Sequence, residues 1–589
     1  MASLRAEVWR CGVFAVATRW VDAAMTRCPP RARNGTVDNI RVVLFAALAF
    51  VLLLLWQAWE RDYGVGAQSS APVASTPAAK AKSESSSATA TSPPEVPTAV
   101  ASEKPTQPAA TAAAVSVRTD TLDVKISLIG GDIVQALLPD YPVSLKDPNQ
   151  PFALLDQSPQ LTFIAQGGLV GSPAAPNHRD QYVADAMTYT MANGTSELAV
   201  PLHWHSADGI EVTKTYVFHR GSHVVDVRYQ ITNHSGVPWK GRWYGQLQRV
   251  FEKPSHGLGH AYTYTGAAVS SPEKRYEKLP FDKMSEDPLK RDIHDGWAAI
   301  LQHYFVAAII PDAGQTDHYY TKVVGKDRFI IGTMGPEQAV EPGTTAAMHY
   351  RIYAGPKQQD KLAKIAPGLE LTVDYGALWF IAKPLFWLLE HIHGLTGNWG
   401  WSIILLTMLV KGLFYRLSAA SYRSMAKMRA VQPRLAAMKE RYSNDRAKLN
   451  QAMMEMYKQE KINPLGGCLP VVIQIPVFLS LYWVLLESVE LRQAPFIFWI
   501  KDLASPDPYY VLPLLMAITM FVQQKLNPSA IDPMQQKVMQ VLPLVFGVFF
   551  AFFQSGLVLY WFVNNLLSIG QQWLITRSIM RDQAKPSGA

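Results

Sequence analysis

The chain has 589 residues, a net charge of +8, 49% hydrophobic and 17% charged residues, and a mean hydropathy of +0.02. That near-neutral hydropathy averages a polar, alternating half and a half of long apolar runs, which excludes one soluble core and leaves room for more than one domain. The basic residues cluster beside the apolar runs, as membrane proteins place them, so the positive charge does not argue for nucleic acid.

Residues 1–36 carry scattered arginines and no period. Because Val37-Asp38-Asn39-Ile40-Arg41 leads straight into an apolar run, one reading takes Val37 as the initiator and 1–36 as an extension of doubtful status. Residues 37–60, with Val42 to Trp56 almost wholly apolar, read as a first transmembrane signal anchor. The run ends in Trp56, Trp59 and Glu60 with no small-residue cleavage site behind it, so the anchor should stay uncleaved. Within 61–114, Ser69 to Ala114 is Ala, Ser, Pro and Thr with few large apolar residues, which bury too little to offset their ordering entropy, so 61–114 should form a flexible linker.

From 115 to 360 the hydropathy has period two. Leu122, Val124, Ile126 and Leu128 alternate with polar residues, as do Val225, Val227, Tyr229 and Ile231, and Met348, Tyr350 and Ile352. Turn signals such as Asp208-Gly209 and Arg220-Gly221 separate these runs, which predicts a large antiparallel β-sandwich. The three cysteines, Cys11, Cys28 and Cys468, all lie outside it, so the domain must hold without disulfides. His203 and His205 share a strand face, but no third ligand stands at fixed spacing, and a surface pair is the simpler reading.

After Asp360 the pattern becomes helical. In 374–396, Leu378, Ile381, Leu385, Leu388 and Ile392 share a face opposite Lys383 and Glu390, flanked by Trp379 and Trp387. This predicts a helix lying in the membrane interface, the rival being a span broken at Pro384. Within 397–577 follow five apolar segments: Trp399–Leu417, Cys468–Val489, Val511–Leu526, Val538–Phe553 and Leu557–Ile575. With the first anchor they make six transmembrane helices, the last two joined tightly by Gln554-Ser555-Gly556. Between Arg416 and Gly467 eleven Lys or Arg face four Asp or Glu, so that loop is expected in the cytoplasm. Counting spans outward puts the β-domain outside, and both termini, including the tail 578–589, in the cytoplasm.

Lys411 lies twelve residues after Trp399, roughly 18 Å along a helix. An intramembrane lysine costs about 2.5–3.5 kcal/mol on insertion scales, so it needs compensation. Either it snorkels to the cytoplasmic headgroups or it faces a polar cavity. Thr407, one turn earlier on the same face, with Gln474, Thr519, Gln523 and Asn564 from other spans, would line such a groove. Singly, each reads as helix glue. No acidic residue lies in the core of any span, and there is no GxSxG or HExxH, which argues against ion-coupled transport and against catalysis. The cytoplasmic loop, 418–463, reads as a hairpin of two helices, Ala419–Arg441 and Lys448–Glu460, capped at Ser443 or Asn444. Its Met425, Met428, Met438, Met453, Met454 and Met456 either pack the two helices together or offer an adaptable apolar surface. The basic residues around them suit anionic lipid or ribosomal RNA.

Several stretches resemble the YidC family of membrane-protein insertases, of Gram-negative type. Asn398-Trp399-Gly400-Trp401-Ser402-Ile403-Ile404 is similar to the start of that family's second span, and Asn463-Pro464-Leu465-Gly466-Gly467-Cys468-Leu469-Pro470 to the entry of its third. Ser488 to Phe496 resembles its outer loop, Asp532-Pro533-Met534-Gln535-Gln536-Lys537 its second inner loop, and Ser555-Gly556-Leu557-Val558-Leu559-Tyr560 its final hairpin. The likeness is close over 374–577 and looser over the β-domain, through Ala366-Pro367-Gly368-Leu369. It implies a five-helix core with a hydrophilic groove open to cytoplasm and lipid, marked by a basic residue at Lys411, where arginine is usual. Trp561 stands beside Tyr560 where tyrosine is usual, and the resemblance places both aromatic residues in the same groove. The outer domain would be a β-super-sandwich of the sugar-epimerase type in the periplasm. The implied function is insertion and folding of nascent membrane proteins in the bacterial inner membrane, alone or with the Sec translocon, with ribosome and targeting machinery at the cytoplasmic hairpin and the lipid bilayer receiving the product. No cofactor and no catalysis are expected. The competing readings are a solute channel or transporter, which predicts paired charges, and a membrane-anchored sugar-binding or sugar-modifying protein, which predicts an acid/base pair in a cleft.

Overall fold

A computed structural model describes residues 113–158, 162–251, 263–442, 445–460, 469–526 and 533–583. The N-terminal extension, the first anchor, almost all of the linker, and the Ser443 and Asn444 caps lie outside the described residues.

Alternating residues become the two-sheet sandwich. Among the described residues one sheet has eleven strands and the other nine. Val225, Val227 and Tyr229 pair across to Ile352, Tyr350 and Met348, and all six side chains are buried in the core. Such cross-strand apolar pairs, packed against the facing sheet, are what hold a sandwich of this kind together. Gly209 and Gly221 take positive φ, 82° and 71°, at the two turns that the sequence marks. One pairing departs from the antiparallel expectation: Ala114–Arg118 runs parallel to Thr188–Thr190. Alternation reports which face is buried and is blind to strand direction.

The last strand, Thr345–Pro356, leads into helix α1 (Gln359–Ile365) and an elbow at Gly368. Gly368 has φ +84°, and a Cβ there would lie 2.8 Å from the Arg275 carbonyl oxygen, so the elbow requires glycine. Trp297 Nε1 donates to Pro367 O at 3.1 Å, fixing the elbow to the sandwich.

Helix α2 (Trp379–Thr396) continues through Pro384. Its buried residues are Ala382, Phe386, Leu389 and Ile392, while Leu385 and Leu388 are half-buried. The buried line is therefore rotated by about one residue from the expected face, because α2 packs on two helices at once. They are α3 (Trp399–Leu413) and α7 (Leu469–Glu487). Trp379, Phe380 and Trp387 remain exposed.

The apolar segment Trp399–Leu417 is not one helix. α3 starts on an Asn398 side-chain cap and ends at Phe414, where the axis bends 68° into α4 (Tyr415–Ala430). The expected helix Ala419–Arg441 is likewise interrupted. α4 stops at Val431, and α5 (Gln432–Arg441) begins with Pro433 in its first turn, where a missing N–H costs nothing. α6 (Arg446–Gln459) is capped by Asp445, whose carboxylate accepts from Lys448 N at 3.0 Å. α8 (Val511–Leu526), α9 (Pro533–Phe550) and α10 (Ser555–Gln583) complete the bundle. The tight α9–α10 turn is tied to the α7–α8 loop by Ser555 N→Ser505 O and Gly556 N→Leu503 O. Among the described residues no single helix is long and apolar enough to cross a membrane, and the bent pair α3–α4 meets the requirement of length and composition only when its two helices are counted together.

The sandwich contacts the bundle directly. Lys357 Nζ lies 2.9 Å from Glu487 Oε2 at the end of α7. His303 Nε2 is 3.0 Å from Leu486 O, and Lys278 pairs with Asp374.

Candidate functional site

Polar residues of α3, α7, α8 and α10 gather around two cavities. Thr407 and Lys411 are four residues apart on α3 and so share a face. Thr407 is buried and its Oγ1 donates to Ile403 O at 2.6 Å. Lys411 Nζ donates to Ser568 Oγ on α10 at 2.7 Å, while that hydroxyl donates its own proton to Asn564 O at 2.7 Å. From α7, Gln474 Nε2 donates to Asn564 Oδ1. A charged donor is thus held by a neutral hydroxyl. Among the described residues no carboxylate pairs with Lys411.

Two neighbouring cavities open around this network. The smaller, about 20 Å³, is lined by Thr407, Lys411, Ser418, Gln474, Tyr560 and Asn564 among apolar neighbours. It is large enough for about one water. The larger, about 270 Å³, shares Gln474, Tyr560 and Asn564 and adds Gln523, Gln524 and Trp561. Ile475, Phe478, Leu542 and Pro543 give it an apolar flank. Gln524 Oε1 is buried with no hydrogen-bond partner among the described residues, so it has spare accepting capacity towards this space.

Seven of the eight residues grouped from the sequence line these cavities: Lys411, Thr407, Gln474, Gln523, Tyr560, Trp561 and Asn564. Thr519 does not. It is buried where α8 meets α10, donating to Met516 O at 2.7 Å and accepting from Asn565 Nδ2 at 3.4 Å. There it acts as helix glue. Sequence reasoning missed Ser568 and Gln524. The signal for Ser568 is present: Tyr560, Asn564 and Ser568 recur every four residues and form one polar stripe on α10. Gln524 had no such signal, because its neighbour Gln523 is equally polar.

In helices α4 to α6, Met456 is buried with Val431, Leu435 and Tyr457, and Met428, Met438, Met453 and Met454 pack around them. These methionines therefore pack α5 and α6 together, with Met428 joining them from α4. Met425 is half-buried and lies outside that cluster. In the sandwich His203 is exposed and faces Asp185 at 3.3 Å and Thr213 at 3.2 Å.

Comparison with known proteins accounts for both halves. Residues 114–388 match the YidC periplasmic domain, and 391–583 match the 60Kd inner membrane protein family. The membrane protein insertase YidC of Thioalkalivibrio sulfidiphilus is 50% identical over 560 residues, covering 92% of this chain and 99% of that protein. That of Nitrosococcus oceani is 48% identical over 549 residues, covering 93% and 100%. Among solved structures, an active YidC insertase with its first transmembrane domain resolved aligns over 78% of this chain and 92% of that one, at 16% identity and a TM-score of 0.38. The near-full-length identity and the two family matches together show that the chain belongs to the YidC family of membrane-protein insertases.

Proposed function

We propose that the polar cavities around Lys411 are the route by which this inner-membrane insertase passes polar client segments across the bilayer. The observation that carries the reading is Lys411 itself, a cation held by the Ser568 hydroxyl beside polar-lined space. A hydrated groove reaching part-way into the bilayer shortens the hydrocarbon path for the translocated end of a nascent membrane protein. Lys411 attracts acidic residues on that end, and the planar fork of an arginine is not needed for such a point-charge attraction. Apolar client segments then leave sideways into lipid, driven by burial of their apolar area. The scheme involves no covalent step and no cofactor.

The proposed topology has six spans. The first is the anchor in 37–60. The others are built on α3, α7, α8, α9 and α10, with α2 in the outer interface, α4 to α6 and both termini in the cytoplasm, and the sandwich in the periplasm. The charge bias of the loop 416–467 supports that orientation. The Sec translocon, and ribosome and targeting machinery at α4 to α6, are proposed partners. Here Met425 and the basic residues are offered for contact, because the other methionines are engaged in packing.

The test is depletion of the chain in its host, followed by an assay of small membrane-protein insertion. A cysteine replacing Lys411 should also be labelled by a membrane-impermeant thiol reagent from the cytoplasmic side. Unimpaired insertion on depletion, or a position 411 that resists labelling, would overturn the reading.

A further inference from the structure

The strands Ile133–Ser144 and Asp147–Leu155 form a long hairpin whose distal part is exposed on both strands. Along the first strand Tyr141 and Val143 alternate with Pro142 and Ser144, so their side chains share a face, and Leu145 follows in the two-residue turn that joins the strands. Tyr141 lies edge-on to Phe305 with ring centres 5.4 Å apart, and Phe152 of the second strand stacks on the same ring at 4.3 Å. The stripe thus begins inside the sandwich. It then continues past it, with Val143 and Leu145 exposed at 49% and 46%.

The stem of the hairpin is clasped by the helical half. Arg492 Nη2 and Gln493 Nε2 both donate to Pro142 O, at 2.6 and 2.9 Å. The Arg492 guanidinium also lies over Phe152 and Phe305. Arg492 and Gln493 belong to the loop joining α7 to α8. The tip, 143–147, therefore starts one residue beyond a contact with the loop that joins these two helices. The same loop exposes Ile497 and Phe498, and Tyr509 and Tyr510 are exposed where α8 begins. Phe498 and Tyr510 hold φ of +52° and +57°, an uncommon conformation for non-glycine residues. Exposed aliphatic and aromatic side chains flanked by a lysine, Lys146, at the ends of apolar helices are the composition of a membrane interface.

We propose that the tip of this hairpin docks into the headgroup–acyl boundary of the outer leaflet, with Val143 and Leu145 in the acyl edge and Lys146 among the headgroups. The sandwich then rests on the bilayer itself as well as on the helices. A stripe of two side chains is far smaller than the roughly 800 Å² per partner of a stable protein contact, which favours lipid over a second copy or a client chain. The proposal rests on α7 and α8 crossing the bilayer.

The experiment uses the full chain in liposomes with Cys11, Cys28 and Cys468 replaced by serine. Single cysteines replace Leu145, Val237 or Leu514, each carrying an environment-sensitive fluorophore. Nitroxide-labelled lipids, either headgroup-proximal or mid-chain, serve as quenchers. Val237 is exposed on a sandwich turn that makes none of these contacts, and Leu514 is exposed on α8. The expected result is quenching of the 145 probe by headgroup-proximal nitroxide at least about double that of the 237 probe, as for a shallowly inserted side chain, and quenching of the 514 probe by mid-chain nitroxide. A quenched 514 probe with a 145 probe no different from 237 overturns the hairpin proposal alone. An unquenched 514 probe overturns the span reading and the hairpin proposal together. A 145 probe that changes only when client protein is being inserted also overturns lipid docking and assigns the tip to the client.

Discussion

Lys357 of the last sandwich strand's exit and Glu487 at the end of α7 form an ion pair of 2.9 Å with side chains only 3% and 5% exposed. Lys357 Nζ also reaches Thr372 O at 3.4 Å. Removing one member of such a pair leaves a buried charge without its partner, whereas removing both does not.

Lys357→Met alone should therefore destabilise the chain by roughly 3–5 kcal/mol, and Lys357→Met with Glu487→Leu should recover most of that loss. Thermal unfolding of the two single variants, the double variant and the parent in one detergent closes the cycle. Additive losses would mean that the two side chains act independently.

Deleting most of the sandwich, from Val115 to Tyr350, should leave insertion working, because the retained segment keeps Lys357 and the Glu487 pair. Extending the deletion through Lys357 should impair it by exposing Glu487 unpaired at the helix end. An insertion assay on the two deletions decides. Equal activity of both would remove any role for the pair in the membrane half.

Asp317 is buried in the sandwich and neither carboxylate oxygen has a hydrogen-bond partner among the described residues. Burial pushes its pKa up to about 7, with Asp312 and Asp295 adding repulsion. Because the folded value is raised above the unfolded one, its contribution is fully present below about pH 4 and is lost as pH rises through about 7. Asp317→Asn should thus stabilise the domain by roughly 2–4 kcal/mol at pH 8, with the gain shrinking to little at pH 4. Hydrogen exchange of the strand Thr316–Val324 in parent and variant measures it. A gain independent of pH would refute the ionisation account.

The charge at Lys411 should matter most to clients whose translocated tail is acidic. Two unit charges about 4 Å apart attract by roughly 4 kcal/mol at an effective dielectric near 20, and desolvation offsets much of this. Lys411→Arg should retain activity. Lys411→Glu should lower insertion of acidic-tailed clients about tenfold or more, equivalent to about 1.4 kcal/mol, and that of neutral-tailed clients less. One client with tail charge varied, assayed against the three proteins, gives the answer. Equal loss at every tail charge would make Lys411 structural.

Met456→Ala should loosen the α5–α6 contact by roughly 2–5 kcal/mol, since Met456 is the buried methionine of that cluster. Met425→Ala should leave helix packing unchanged and weaken only binding by a cytoplasmic partner. Limited proteolysis of 415–460 distinguishes the two outcomes.

Much of this molecule was legible in one dimension, because burial imposes a period on the chain. Val225, Val227 and Tyr229 announced a strand, and the polar anomalies Lys411, Gln474 and Asn564 stood out against apolar runs where a lone polar group is costly. The motifs from Asn398 to Ile404 and from Ser555 to Tyr560 carried the family. What periodicity leaves open is which neighbour each face meets and where a helix bends. The rotated buried face of α2 follows from its packing on two helices at once, and neither the break at Phe414 nor the seating of Thr519 between α8 and α10 shows in the period of the chain. The Lys357–Glu487 pair and the Arg492 clasp on Pro142 join residues 130 and 350 positions apart. Local pattern holds no trace of such contacts, because they exist only after both halves have folded and met.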